Sequence, residues 1–385
     1  MRILIMSDNT GEGHNSCAKA IQEYFELQGD NCTIVDSLRF ISRPVSTAVS
    51  EGFTCMYRHF PSLFRNSYTY MEKHPGMFHD RSAVYRILTL GTDRLRQYLE
   101  ESRYDGIICT HMFPALMLTH IKKLYGLDLP TCFVATDYTC SPLVKDSSLD
   151  RCFIPHPSLA WDFECDNIPL EHIVGSGIPV RQMFYRSKPK EEAKIQCAVP
   201  PHHKHLVMMG GSMGCGPILE LARRFTALPE DCHLTVVCGT NRGLQRQLLR
   251  KFAHQKNFHI RGFVRDMSTL MDSADLYLTK PGGIGVTEAA LKNLPMVLID
   301  AVAGCEEYNR LYFTRNGGAK TASTPEDLAR LCQNLLENDA KRIQMVKRLQ
   351  ELPKNNAAQM IHSFFLQQSG EAPNLVPFPA MVGNG

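Results

Sequence analysis

Short apolar runs alternate with longer stretches of helical periodicity through most of the chain. Runs that are apolar at successive positions, rather than at every second one, belong to parallel strands covered on both faces by helices. The first half predicts strands near Ile3–Ser7, Cys32–Val35, Ile107–Thr110, Thr131–Thr136, Cys152–Ile154 and His172–Val174. The second half predicts them near His205–Met209, Leu234–Cys238, Phe258–Arg261, Leu276–Thr279 and Met296–Ile299. Two separate series imply two doubly wound α/β domains. Between them, Gly177-Ile178-Pro179-Val180 is followed by the charged, Pro-containing stretch Ser187–Ala193, a composition suited to a linker. The expected division is therefore 1–180 and 181–368, the last helix being free to pack back on the first domain, followed by a flexible Pro- and Gly-rich tail at 369–385.

Composition narrows the class. The chain has 385 residues, with 42 Lys+Arg against 39 Asp+Glu, and its net charge of +3 gives no overall argument for nucleic acid. Its 14 cysteines include no Cys-x-x-Cys pair, so zinc ribbons and thioredoxin-type redox motifs are unsupported. Several sit inside apolar runs, as Cys109, Cys132 and Cys238 do, where a thiol acts as a small hydrophobe and a reducing cytosol is the simplest setting. The opening run breaks into a Gly-rich turn too early for a signal peptide, and no stretch reaches the ~18 apolar residues of a membrane span. Attachment to a membrane surface stays open. One segment departs from the alternation. Arg39–Arg86 holds nine aromatics in 48 residues, about twice the chain's 9%, with seven basic residues against three acidic. It reads either as an extra helical layer with packed aromatics and solvated cations, or as a face that docks on an anionic membrane through Arg58, Arg65 and Lys73.

Four motifs carry chemistry, each after an expected strand. In Ser7-Asp8-Asn9-Thr10-Gly11-Glu12-Gly13-His14, Gly11 and Gly13 let backbone N–H groups approach a ligand at a helix expected to start near Ser16. The third glycine of a dinucleotide fingerprint is missing, since position 16 is Ser, so a nicotinamide site is poorly supported. His14 is either a turn histidine or a general base. The second motif, Gly210-Gly211-Ser212-Met213-Gly214-Cys215-Gly216-Pro217, is no Walker loop, because no Gly-Lys-[Ser/Thr] follows, but its bare amides and Ser212 suit a diphosphate leaving group. In Thr279-Lys280-Pro281-Gly282-Gly283-Ile284-Gly285-Val286-Thr287-Glu288, a turn leads into a helix whose positive end suits phosphate, and Glu288 can accept from a ribose diol or simply offset the helix dipole. The fourth, Ala303-Gly304-Cys305-Glu306-Glu307-Tyr308-Asn309, reads as a polar loop whose side chains suit sugar hydroxyls.

Taken in order, SDNTGEGH, GIPVR, GGSMGxGP, GFV (Gly262–Val264), KPGGIGVTEA and CEEYN resemble the bacterial diacylglycerol glycosyltransferases and plant monogalactosyldiacylglycerol synthases. These group with the peptidoglycan N-acetylglucosaminyltransferases as GT-B enzymes of the family 28 type. The likeness runs from about Arg2 to Phe365. It implies an α/β fold of two Rossmann-like domains facing across a cleft, the first for the acceptor and membrane and the second for the donor. It implies that His14 is the acceptor base, with Asp137 of Thr136-Asp137-Tyr138 as a second catalytic group. On the donor side it implies Gly211 and Ser212 at the diphosphate, Phe263 and Val264 at the uracil, Gly282, Gly283 and Ile284 at the phosphates, Glu288 at the ribose, and Glu306 with Asn309 at the sugar. The family's Pro-Gly-Gln-Glu is Ala303-Gly304-Cys305-Glu306 here, so UDP-glucose and UDP-galactose both stay open as donor.

The implied activity is inverting, metal-independent transfer of a hexose from a UDP-sugar to the hydroxyl of a diacylglycerol-type lipid. No cofactor and no nucleic-acid partner are expected, and the implied location is the inner face of the cytoplasmic membrane. Two rivals are a UDP-sugar epimerase of the same architecture and a non-catalytic nucleotide-sugar sensor.

Overall fold

The computed structural model describes residues 1–74, 82–141, 144–299 and 304–370, apart from the side chains of residues 58, 59, 61, 84 and 145. The Arg58 side chain, Phe78, and nearly all of the expected tail thus lie outside the described residues. The chain divides into two compact units, one of Met1–Gln182, Ala303–Cys305 and Lys354–Gly385, the other of Met183–Val302 and Glu306–Pro353.

The first unit holds β1 (Arg2–Ser7), β2 (Asn31–Asp36), β3 (Gly106–Cys109), β4 (Thr131–Val134), β5 (Arg151–Ile154) and β6 (Ile173–Gly175). They form one parallel sheet in the order β2-β1-β3-β4-β5-β6. β1, β3 and β4 are buried almost throughout, as expected when helices cover both faces. The final helix, Ala357–Ser369, belongs to this unit and packs on the helix Glu12–Leu27 that follows β1. His362 Nε2 lies 2.7 Å from Asp30 Oδ2, and Phe365 meets Phe25 edge-on at 6.3 Å between ring centres.

The second unit holds β7 (Lys204–Met209), β8 (Cys232–Val237), β9 (Phe258–Arg261), β10 (Leu276–Thr279), β11 (Met296–Leu298) and β12 (Ala319–Thr321), again all parallel, in the order β12-β11-β10-β7-β8-β9. Leu206, Met208, Leu234, Val236, Leu276 and Leu278 of these strands join Phe225, Leu248 and Leu335 of the covering helices in one apolar core.

Four expectations change. β12 has no counterpart in the expected strand series, because Ala-Lys-Thr is too short and too polar to stand out as an apolar run. The helix after β1 starts at Glu12 rather than Ser16, since Gly11, at φ +143°, ends the turn and Glu12 favours a helix N-terminus. His14 therefore sits in a first helical turn. The Ser187–Ala193 linker is partly a helix, Lys190–Gln196, with Pro189 before it, Glu191 and Glu192 in its first turn and Ala193 fully buried. Its charges are used structurally, Lys190 and Lys194 lying 3.0 and 2.9 Å from Asp275 carboxylate oxygens. The fourth motif is not a loop, because Gly304–Arg315 is helical.

The aromatic segment forms the helices Arg43–His59 and Pro61–Lys73. Its rings divide. Phe53, Tyr57 and Phe64 pack on one another at centroid distances of 5.0–6.1 Å, whereas Phe60, Leu63 and Tyr70 are 55%, 56% and 54% exposed, on a surface that also exposes Arg65 and Lys73.

Candidate functional site

Each sheet reverses its strand order beside its first strand, and in open parallel sheets ligands bind where such a reversal leaves a crevice at the carboxyl ends. In the first unit the reversal lies between β1 and β3, so the turns after these strands meet. Asp8 follows β1 and is sealed from solvent; it accepts from the Ser37 hydroxyl at 2.5 Å, and its Oδ2 lies 2.9 Å from His111 Nδ1. His111 follows β3 and caps the helix Met112–Tyr125 by accepting the Phe113 N–H at that same nitrogen, 3.2 Å away. A ring nitrogen that receives a backbone N–H has its lone pair there, so His111 Nδ1 carries no proton, and the buried Asp8 Oδ2 beside it makes no hydrogen bond. Burial pushes Asp8 up to about 7, partly opposed by the Ser37 hydrogen bond, so its carboxyl titrates near neutral pH, and pushes His111 down to about 3, so that ring is neutral. His111 Nε2 lies 3.1 Å from Thr10 Oγ1, in the turn that leads to His14.

His14 stands against this pair, its ring edge-on to His111 at 4.5 Å. Its Nδ1 is 2.7 Å from the Thr110 carbonyl and 3.2 Å from Thr136 Oγ1. A carbonyl only accepts, so Nδ1 carries the proton and Nε2 keeps the lone pair, the tautomer a general base needs. Desolvation, then His111, lowers the His14 pKa to about 3, which keeps the ring neutral at physiological pH. Thr136 Oγ1 also lies 3.4 Å from Asp137 Oδ2, so the structure gathers His14, Thr136 and Asp137 on one edge. Gly11 lies just before His14's helix, and Gly13 lies inside its first turn.

In the second unit the reversal lies between β7 and β10. The turn after β7 is compact. Gly211, Gly214 and Gly216 have positive φ, Cys215 N donates to Gly210 O at 2.8 Å, and Ser212 O accepts from Thr240 N at 2.8 Å. The turn after β10 opens the helix Gly283–Leu291, whose N-cap, Gly282, offers no side chain to its first amides. Asn309 is fully buried, and its Nδ2 donates to Pro281 O at 2.9 Å, fixing the turn from behind. Glu306 is buried beside it with Oε1 2.8 Å from Lys280 Nζ. Half-buried Glu288 and Ile284 lie on the helix after Gly282. Phe263, 68% exposed, and half-buried Val264 leave β9 at the same edge of the parallel sheet.

The structure thus places the assigned residues of each unit at one sheet edge. Sequence reasoning gave no individual role to Asp8, Thr110, His111 or Lys280, and named Thr136 only as part of Thr136-Asp137-Tyr138, yet the structure brings all five to these edges. The one available signal was position, since all five follow β1, β3, β4 or β10 within two residues. Among the described residues, no group of three or more His, Cys, Asp or Glu side chains is placed to hold a metal ion, and no helix is long and apolar enough to cross a membrane.

Residues 14–180 match the family model for monogalactosyldiacylglycerol (MGDG) synthase, and residues 205–361 match that of the glycosyltransferase family 28 C-terminal domain. The chain thus joins an MGDG-synthase-type first domain to a family 28 glycosyltransferase C-terminal domain. The match to the first domain opens at His14 itself, and the second spans both Gly-rich turns of the glycosyltransferase. A processive diacylglycerol beta-glucosyltransferase of Bacillus cereus is 28% identical over 388 residues, covering 99% of this chain and 98% of that one. Among solved structures, MurG of Acinetobacter baumannii superposes with a TM-score of 0.62 at 15% identity, covering 95% of this chain and 99% of its own. A Listeria monocytogenes protein described as a putative UDP-N-acetylglucosamine 2-epimerase has a TM-score of 0.62 at 12% identity, covering 98% and 99%. The fold is that of GT-B enzymes, and transferase and epimerase share it, so the family matches rather than the fold make this chain a glycosyltransferase.

Proposed function

We propose that the protein transfers a hexose from a UDP-sugar to the free hydroxyl of a diacylglycerol-type lipid, with inversion at the anomeric carbon. The observation that carries the reading is His14, neutral and with its Nδ1 proton committed to Thr110 O, in the domain that matches the MGDG synthase model. In this scheme Nε2 takes the acceptor proton as the lipid oxygen attacks the anomeric carbon, and UDP leaves from the opposite side. Thr136 and Asp137 hold the ring as it becomes an imidazolium. Amides around Gly211, Ser212, Gly282, Gly283 and Ile284 receive the diphosphate, Glu288 the ribose diol, and the backbone of Phe263 and Val264 the uracil. Glu306 faces the hexose, and Asn309 serves it by holding the Pro281 turn. Beta-glucosyl transfer by the Bacillus cereus relative favours UDP-glucose, and a β-linked product from an α-linked donor is an inversion.

The acceptor lies in a membrane, and the exposed Phe60, Leu63 and Tyr70 with Arg65 and Lys73 give the first unit a face suited to the anionic inner leaflet. The test is incubation with a panel of UDP-hexoses and diacylglycerol liposomes, with mass spectrometry of the lipids and NMR of the anomeric linkage. A β-hexosyl glycerolipid is expected. Conversion of a UDP-hexose to its epimer without acceptor, or UDP-sugar binding without UDP release from any lipid panel, would overturn the proposal in favour of an epimerase or a sensor.

A further inference from the structure

Lys280 is the first residue after β10, and its side chain crosses the turn after β7 on its way to Glu306. The crossing is close. A methyl group added at Gly211 would meet Lys280 Cε at 2.3 Å, Cδ at 3.1 Å and Nζ at 3.3 Å, and one added at Gly282 would find Cε at 3.5 Å and Nζ at 3.9 Å. The ammonium therefore stands between the two glycine turns that flank the strand reversal, and the absence of a side chain at 211 is what lets it pass. Its counter-ion, Glu306 Oε1, lies 2.8 Å away and only 4.0 Å from that added group at Gly282. The lysine is partly open to solvent while the carboxylate is almost sealed, so the pair presents its cationic end outward.

Resting on the donor reading above, we propose that Lys280 is a catalytic residue for sugar transfer, its ammonium bonding directly to the diphosphate of the nucleotide donor and stabilising the charge that develops there as the glycosidic bond breaks. Backbone amides supply direction and partial charge at this edge, and Lys280 adds a full positive charge, making a charge-assisted bond about twice as strong as a neutral one. The departing UDP gains negative charge as the sugar carbon loses it, so a fixed cation there favours the transition state over the ground state. Glu306 holds the ammonium in place until the diphosphate arrives, and then shares it.

The experiment compares UDP and uridine as ligands of the unmodified protein, Lys280→Gln and Lys280→Met by titration calorimetry, with kcat measured on the same preparations. Both substitutions should weaken UDP by roughly tenfold to a hundredfold, the range for a lost hydrogen bond to a charged group, and leave uridine affinity unchanged. Lowered kcat should accompany the loss. Undiminished UDP affinity in both variants would overturn the proposal. So would parallel loss of UDP and uridine, because Lys280 would then only shape the turn. Failure of the unmodified protein to bind UDP, with another nucleotide bound in its place, would overturn the UDP-sugar reading itself, a result that the variants cannot mimic.

Discussion

The two strand reversals are topologically alike and chemically opposite. Beside β1 the edge is built from side chains: Asp8 lies 2.9 Å from His111, whose ring meets that of His14, which in turn lies 3.2 Å from Thr136, and burial favours the neutral form of the acid and of both imidazoles. Beside β7 the edge is built from backbone, with Gly211, Gly214 and Gly216 at positive φ and Lys280 as the cation laid across them. Proton transfer needs one lone pair at one orientation, which requires a side chain fixed by its neighbours. Receiving a diphosphate needs several donors aimed at one place, which bare amides supply once side chains are removed from the approach. On the proposed function, a single topology thus serves two tasks by changing what its turns expose.

The comparison breaks first at His14. Replacing it with Ala should lower kcat by about 10² or more, the usual scale for losing a general base, while UDP affinity stays as it was. Near-normal turnover with normal UDP binding would place the base elsewhere. Asp8 tests whether the first edge stores a neutral acid. Its folded pKa of about 7 exceeds the unfolded 3.8, so folding holds an extra proton between these values, and stability is lost as pH rises through that window. Asp8→Asn cannot ionise. Its stability relative to the unmodified protein should therefore improve between pH 4 and pH 8 by on the order of 3 kcal/mol, read by urea unfolding at both pH values. A difference independent of pH would mean that the folded carboxyl is already ionised.

Much of this was readable from the chain, and what escaped did so for physical reasons. The eleven expected strands all occur, because a strand buried on both faces leaves a near-continuous apolar run such as Ile-Leu-Ile-Met in β1 or Leu-Tyr-Leu-Thr in β10. Gly211, Gly282 and Glu288 were visible as a strand, a glycine turn and a helix in succession. His111 and Lys280 were not assigned work, because their roles depend on pairings across the sheet, 103 residues apart for Asp8 with His111 and 26 for Lys280 with Glu306. Asn309 shows the opposite case. Its place in a polar motif points to a sugar contact, but its full burial shows its amide supporting the Pro281 carbonyl. Polarity in a sequence marks a group that needs partners, and it does not say whether those partners are ligand or backbone.

The second edge has its own acid sensitivity, set further back in the sheet. His205 on β7 is fully buried, with Nδ1 3.0 Å from Ser273 Oγ and Nε2 2.8 Å from Thr235 Oγ1, and desolvation lowers its pKa from 6.5 to about 3. The unfolded imidazole gains its proton first as pH falls, so the second unit loses stability from about pH 6.5 downward. His205→Gln should shrink the stability difference between pH 7 and pH 5 by about 2 kcal/mol in urea unfolding. An undiminished difference would shift the acid sensitivity to His233 and His259, whose facing ring nitrogens are 3.0 Å apart and whose pKa values burial also lowers.

The smallest effects concern the membrane face, and they sharpen the comparison because both units carry exposed basic residues beside exposed apolar ones. Arg65 and Lys73 accompany Phe60, Leu63 and Tyr70 in the first unit; Arg250 and Lys251 accompany Leu249, 45% exposed, in the second. Only the first group combines several large apolar side chains with its cations, and stable attachment draws on both terms. Arg65→Gln and Lys73→Gln should each weaken binding to anionic liposomes roughly fivefold, the scale for one cation near a charged leaflet, with UDP affinity unchanged. Arg250→Gln and Lys251→Gln should leave sedimentation with the same liposomes unaltered. Equal losses from both pairs would mean that any exposed cation suffices, and the first unit's aromatic helices would then be ordinary packing with no privileged relation to the lipid.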